Sequence, residues 1–418
     1  MKKVALSLAG ILAAAAFAPE ASAVPVFARQ TGMACNACHF QHFPLLNGFG
    51  RAFKASGFTL MGAQAKVEGE HLSIPATLNM SVLATAFYQT QSNNPAVGGA
   101  NKWGVPGNGG ELSIFFGGRI NDFAGFQSEL GIGNGAGAAT AAKMPILFEV
   151  GDNRIGLVAF TSNGQGASYS FETLNTGANA VHKLMGNGGP AGQHLMATSA
   201  AQYLGTAAAA TGLAVVAVNP NLGFVNVGKY IAGTMAAGGT STLPLTYARV
   251  AATLDLAGWD TGFGLQNWSG TQNVNVALIA PGGDYKATVV DAQAQGQVGG
   301  MPLGIYTSYG WAPASAAGAV AGAAGWNNFN AGGIATKKSF NLAAELGVIP
   351  GKATVQAAVR AGKNGAGLGD NAFMIAGTYE LSMNQELSLH YTTQSGAAWN
   401  GVGVVGKNAT TLLLETLF

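Results

Sequence analysis

Cys35-Asn36-Ala37-Cys38-His39 holds the densest chemistry in the chain. Two thiols three positions apart can add to the two vinyl groups of a porphyrin, and the imidazole that follows is then held beneath the iron as proximal ligand. A bare thiol pair at this spacing also suits a redox disulfide. The adjoining histidine, and the lack of a third cysteine among 418 residues, favour covalent attachment of one haem c. Cys35 and Cys38 are then the cofactor-binding residues and His39 the iron ligand, with no catalytic side chain beyond the haem.

The far face of the ring needs a second axial group. His42 lies three positions from His39 and belongs on the same side of the ring, and Met33, tethered two positions before Cys35, is similarly cramped. Met61 follows Phe58-Thr59-Leu60 after an expected helix and turn, and can reach the opposite face. His71 competes with it, and core filling is the plainer role for Met61. A thioether raises a haem potential, whereas a second imidazole generally lowers it. Met61 is the preferred distal ligand, with His71 the runner-up.

Other candidates carry less. His390 shares an expected lumen face with Glu386 and Ser388, where a lone histidine is more often polar lining than a metal ligand. His182 and His194 are too far apart for a recognisable metal motif. Gly362-Lys363-Asn364-Gly365 lacks the spacing of a phosphate loop. Glycine and alanine over 134–142 and 206–211 read as low-complexity loop.

The haem motif sits in a unit over 24–70, with Phe40, Phe43, Phe49, Phe53 and Phe58 and the cations Arg51 and Lys54. A helix is expected over 50–55, ended by Gly57. So short a segment buries little by itself, so its core is expected to be the haem. The linker over 62–70 is small and polar. Ahead of the unit, Lys2 and Lys3, an apolar run over 4–18 and Ala21-Ser22-Ala23 read as an export signal over 1–23, with Val24 the mature start. Export fits haem attachment, which in bacteria takes place outside the cytoplasm.

Only 9% of the residues are charged and 63 are glycine, against about 25% charged in soluble domains. No later run of about 20 apolar residues permits a spanning helix. A closed β-barrel is the other way to keep so uncharged a chain in a membrane, because its backbone groups all pair between strands. Net charge is +2 without a basic cluster, which excludes nucleic acid as a partner.

From about residue 76 the periodicity is two. Phe340, Leu342, Ala344, Leu346 and Val348 alternate with Ser339, Asn341, Ala343, Glu345 and Gly347. After Pro350-Gly351, Ala353, Val355, Ala357 and Val359 alternate with Lys352, Thr354, Gln356 and Arg360. That is a hairpin with one apolar and one polar face. Sixteen such strands are expected over 76–418: 76–90, 111–121, 122–133, 143–150, 153–163, 212–218, 223–230, 244–256, 258–268, 285–295, 302–311, 338–349, 352–361, 371–382, 385–394 and 409–418. Short connections, such as Gly151-Asp152, Ala257-Gly258 and Met383-Asn384, alternate with longer ones over 91–110, 164–211 and 312–337. Periplasmic turns and external loops of an outer-membrane barrel alternate in this way. Phe418 supplies the terminal aromatic read by the bacterial barrel-assembly machinery. Trp259, Trp268 and Trp311 fall where an aromatic girdle would need them. The expected fold class is therefore all-β: an antiparallel outer-membrane barrel behind a small helical monohaem cytochrome c domain.

Phe27-Ala28-Arg29-Gln30-Thr31-Gly32-Met33, the Cys-x-x-Cys-His, Pro44, Gly48-Phe49-Gly50-Arg51, Phe53-Lys54 and Gly57-Phe58-Thr59-Leu60 resemble the fused monohaem cytochrome–porins of iron-oxidising bacteria. The resemblance in motif is confined to 27–60; the barrel is similar in length and layout. It implies a short cytochrome domain before a sixteen-stranded barrel, and oxidation of extracellular Fe(II). An electron conduit would pass single electrons to a periplasmic carrier such as a soluble cytochrome c. The alternative is a diffusion porin whose haem domain is a plug or a redox sensor. The apolar band of a barrel is about 25 Å tall, so conduction requires the cytochrome domain to lie in the lumen or at its periplasmic mouth, where Arg51 and Lys54 would meet haem propionates or wall groups such as Glu345 and Gln356. The 18 acidic residues are spread thinly, so iron is expected to meet the haem edge without a carboxylate site. Replacing Cys35 and Cys38 by Ala should abolish the haem stain that survives denaturing electrophoresis, while leaving the barrel able to insert. A stain that persists in the double variant would rule out thioether attachment at this motif.

Overall fold

The computed structural model describes residues 25–62, 64–92, 101–132, 140–177, 199–233, 242–273, 282–400 and 406–418. The expected export signal, His182 and His194 lie outside the described residues. Among the described residues, no helix is long and apolar enough to cross a membrane.

Sixteen long strands form a closed antiparallel barrel. They are β1 (Met80–Gln91), β2 (Leu112–Arg119), β3 (Gly125–Gly131), β4 (Thr140–Val150), β5 (Asn153–Asn163), β6 (Ala209–Asn219), β7 (Gly223–Ala232) and β8 (Leu245–Leu256). The second half holds β9 (Trp259–Ser269), β10 (Ala287–Val298), β11 (Met301–Ala312), β12 (Lys337–Ile349), β13 (Ala353–Lys363), β14 (Asn371–Ser382), β15 (Gln385–Ser395) and β16 (Asn408–Leu417). Two short strands, Asn101–Pro106 and Gly109–Gly110, stand between β1 and β2. All sixteen expected strands form, with ends shifted by a few residues. The first begins at Met80 rather than 76, because Lys66–Gly69 and Leu72–Pro75 pair as a separate hairpin within what reads as linker.

The barrel closes between its last and first strands, from Ala409 opposite Gln91 to Leu417 opposite Leu83. The Phe418 amide donates to the Val82 carbonyl at 3.0 Å, and the Val82 amide to Phe418 at 2.7 Å. Around this wall the usual faces are reversed. On β12, Ser339, Asn341 and Glu345 are buried while Phe340, Leu342 and Val348 are exposed; on β13, Gln356 and Arg360 are buried while Val355 and Val359 are exposed. Apolar outside and polar inside is the arrangement of a barrel in lipid. Trp268 departs from the expected girdle: it is 1% exposed and packs inward against Tyr247.

The interior is filled by chain. Helices α1 (Pro25–Thr31), α2 (Cys35–Cys38) and α3 (Gly48–Ala55) form an N-terminal plug. The Asn47 side chain caps α3 by accepting from the Gly50 amide at 2.9 Å, and Gly57 ends it at φ +72°, a conformation that costs glycine little. Plug and wall share their cores on two arcs. Leu45 packs with Tyr306, Ala343, Ala358 and Met374 on β11–β14, and Ala55 packs with Val158, Ala214, Val216 and Phe224 on β5–β7. The connection after β5 also folds inward: Asn226 donates to Ser170 Oγ at 2.9 Å, and the amide of Ala200, in helix α4 (Ala200–Leu204), donates to Ser308 Oγ at 2.9 Å. On intact cells, protease should cut within 313–336 and spare the turn at Pro350-Gly351. The reverse pattern would invert the barrel.

Candidate functional site

α2 is a single turn that carries both cysteines, which are not joined in a disulfide. Its end is tied down by the His39 amide, which donates to the Cys35 carbonyl at 2.8 Å, and by the Asn47 amide on the Cys38 carbonyl at 3.0 Å. The Asn47 side-chain amide adds bonds to the carbonyls of Asn36 at 3.2 Å and Ala37 at 3.0 Å. α3 passes so close to α2 that a Cβ on Gly50 would lie 2.1 Å from the Cys38 oxygen. Glycine there is what lets the two helices touch. His39 Nδ1 lies 3.1 Å from the Leu45 carbonyl. A ring oriented by a carbonyl through Nδ1 presents Nε2 to a metal. Burial pushes the Cys38 thiol up, so it is protonated at neutral pH.

These residues line one side of a cavity of about 450 Å³, within the usual range for ligand sites. Met33, Cys35, Cys38, His39 and Phe43 contribute to its wall. So do the rings of Phe27, Phe53 and Phe58, with Phe27 stacked on Phe58 at 4.9 Å and edge-on to Phe53 at 5.0 Å. The ionic part of the lining is Lys54, Lys143, Glu111, Glu129, Glu172 and Glu415. Ser113 Oγ donates to Glu111 at 2.9 Å and reaches Glu129 at 3.4 Å. A second cavity of about 390 Å³ adjoins Cys35 and His39 and is lined by Gly351, Lys352, Met383 and Asn384 of the short turns. The motif therefore stands between an internal cavity and the short-turn mouth. A thiol pair, an imidazole, a thioether and three aromatic rings on one cavity are the donor set and surroundings that a c-type haem needs.

The structure brings neither Met61 nor His71 to this cavity. Hydrogen bonds clamp 58–62 to α1, with the Gln30 side-chain amide on the carbonyls of Phe58 at 2.8 Å and Leu60 at 2.7 Å, and the Gly62 amide on the Gln30 carbonyl at 3.1 Å. His71 is carried to the tip of the 66–75 hairpin, its side chain 92% exposed. Met33, set aside in the sequence as cramped, is on the cavity wall. The aromatic cluster also differs from expectation: Phe27 joins Phe53 and Phe58, whereas Phe40 packs on the barrel wall and Phe49 is exposed.

The remaining polar groups seat the plug. Arg51 Nη2 reaches both oxygens of Asp260 at 2.6 Å rather than Glu345 or Gln356. Glu345 instead takes His42 Nε2 at 2.7 Å, and Gln356 reaches it at 3.1 Å. Leu46 and Asn175 exchange bonds at 2.7 and 2.9 Å. His390 is buried on the wall, 3.0 Å from Ser388 Oγ. Among the described residues, no group of three or more His, Cys, Asp or Glu side chains converges to hold a metal ion. A haem iron asks the protein for only one or two ligands. Lys143 was missed in the sequence; the only trace of it there is a cation on the inward register of β4.

No protein-family model and no curated protein matches this sequence. Among solved structures, the chain is similar to the outer-membrane channel DcaP of Acinetobacter baumannii, at 11% identity over 82% of this chain and 97% of that one, with a TM-score of 0.47. It is similar to a loop L8 deletion mutant of the outer-membrane protein OmpT of Vibrio cholerae, at 9% identity over 82% and 99%, with a TM-score of 0.46. A mutant of the Rh. blastica porin gives 13% over 82% and 100%, with a TM-score of 0.48. Closed strand pairing and reversed faces, rather than these likenesses, make the chain an outer-membrane β-barrel of porin-like build. Arg51→Ala should weaken the seating of the plug by about 1.5–3 kcal/mol, the worth of hydrogen bonds to a charged group. Ion conductance of the reconstituted variant should rise, and rise likewise in Asp260→Ala. Unchanged conductance in both would mean that the plug is held without this pair.

Proposed function

We propose that the chain is an outer-membrane electron conduit. It holds one covalent haem c on its plug, accepts single electrons from extracellular Fe(II), and delivers them to a periplasmic carrier such as a soluble cytochrome c. The observation that carries this proposal is the convergence of Cys35, Cys38 and His39 on one cavity inside a barrel whose lumen holds the plug, packed on two arcs of the wall. When bound, haem supplies a one-electron change at its iron. Each Fe(II) gives up one electron and leaves as Fe(III), and the carrier gains that electron.

The chain's own residues have separate tasks. Cys35 and Cys38 fix the porphyrin edge through thioethers. His39 ligates through Nε2, its ring held by the Leu45 carbonyl. Met33 is the thioether on the same cavity wall and would be the second iron donor in place of Met61 and His71; sulfur in that role would favour the high potential that an iron donor requires. Phe27, Phe53 and Phe58 exclude water from the ring face. The second cavity leads from Cys35 and His39 to the short turns, which face the periplasm in bacterial barrels, and so offers the carrier its approach.

A freely open diffusion porin fits less well. The plug meets opposite arcs of the wall, and the segment after β5 fills further space. In liposomes enclosing an acceptor cytochrome, external Fe(II) should reduce the acceptor only through haem-loaded protein, while sugars and small dyes pass slowly. Free solute passage together with haem that stays oxidised under Fe(II) would replace conduction with diffusion.

A further inference from the structure

We infer that Lys54 and Lys143 form an anion seat in the internal cavity and take the two propionate carboxylates of the porphyrin. The inference rests on the haem assignment proposed above.

Both lysines line the cavity that holds the haem motif. Lys54 is in the last turn of α3, four residues beyond Gly50, where that helix touches Cys38. At 1.5 Å per residue it stands about 6 Å further along the plug. Lys143 comes from the barrel wall on β4 and is 5% exposed. Its Nζ donates to the Tyr169 carbonyl at 3.1 Å and lies 4.2 Å from the centre of that ring. Plug and wall thus each contribute one ammonium. The vinyl groups and the propionates lie on different edges of a porphyrin, so a ring fastened at Cys35 and Cys38 presents its carboxylates away from them.

Four glutamates share the cavity with these lysines, but none is directly paired with either. Among the described residues, neither makes an ion pair with a carboxylate within 4.0 Å. Arg51, the other cation at this end of α3, is matched by Asp260. Glu172 is on the same cavity wall, yet Arg249 Nε holds it at 3.0 Å and the Leu174 amide at 2.8 Å. Glu129 takes Gln165 Nε2 at 3.2 Å and Ser113 rather than an ammonium. Glu111 and Glu415 also line the cavity, Glu111 taking Ser113 Oγ at 2.9 Å. Two cations in one cavity without a carboxylate in direct contact are costly; burial pushes Lys54 below the usual lysine range, with Glu172 opposing that shift. A dianionic edge between them relieves that cost.

The test uses the full chain with Lys54→Gln, Lys143→Gln, the double variant, and Lys→Arg at each position. The readouts are covalent haem per polypeptide and the equilibrium of the haem with a redox dye. Loss of a nearby positive charge should shift that equilibrium about tenfold towards Fe(III) per lysine, which is about 59 mV for one electron. The arginine variants should stay near the wild type, which a purely structural role would not require. An unmoved equilibrium in both glutamine variants at normal haem content would overturn the seat alone. So would arginine variants displaced as far as the glutamine ones. A wild type without covalent haem would instead overturn the assignment beneath it.

Discussion

In hydrocarbon an unpaired backbone N–H or C=O costs several kcal/mol, and a sheet edge exposes a row of them. That constraint decides this structure. The pairing of Leu417 with Leu83, and the two bonds between Phe418 and Val82, turn a sheet with two edges into a cylinder with none. Once the cylinder is closed, the period-two pattern has one arrangement: Leu342 and Val355 must face lipid, and Asn341 and Gln356 must face inward. A one-residue slip in β12 or β13 would put Glu345 or Arg360 into the bilayer.

The inward polar face then determines what can occupy the lumen. A purely apolar plug would strand these groups without partners. The N-terminal segment answers them at points around the wall: Arg51 on Asp260, His42 on Glu345, the Gln30 carbonyl oxygen of its side chain on the Arg119 amide at 2.9 Å, and Asn175 of the inward loop on Leu46. Between these polar contacts lie two apolar patches, at Leu45 and Ala55. The result is a plug held by specific pairs at its rim, with its rings turned to an internal cavity. Breaking one rim pair leaves the partner desolvated, which is a larger cost than the pair's own net worth.

Much of this was legible in the sequence because the signals are local. Alternation at Phe340 to Val348, the Pro350-Gly351 turn and the short-long rhythm of connections depend only on neighbours in the chain. So does the end of α3 at Gly57, whose positive φ a side chain would oppose. What failed depended on three-dimensional closure. Trp268 falls at a strand end, and its interior site is made by Tyr247 and by Phe329, 6.2 Å away on the segment after β11. Met61 had the right spacing for a distal ligand, but Gln30 draws its backbone against α1. Met33 was judged by tether length alone, although the exposed turn between α1 and α2 returns it to the cavity wall. For Arg51 the sequence offers haem propionates or wall groups such as Glu345 and Gln356, and no local pattern singles out Asp260.

The 25–62 segment also cannot be understood apart from the wall. Leu45 is fully buried, but its burial comes from Tyr306, Ala343 and Met374 rather than from its own helices. Its three-ring cluster is open on the cavity side, where Lys143 and Tyr169 belong to the barrel and its inward loop. A free-standing cytochrome of this length would have to supply those surfaces itself, and so short a chain has too little apolar area to do so. Here the barrel supplies them. The wall is therefore both membrane anchor and half of the cavity, and the surroundings of Cys35, Cys38 and His39 are set by β4 and the 166–177 segment as much as by the Cys-x-x-Cys-His turn.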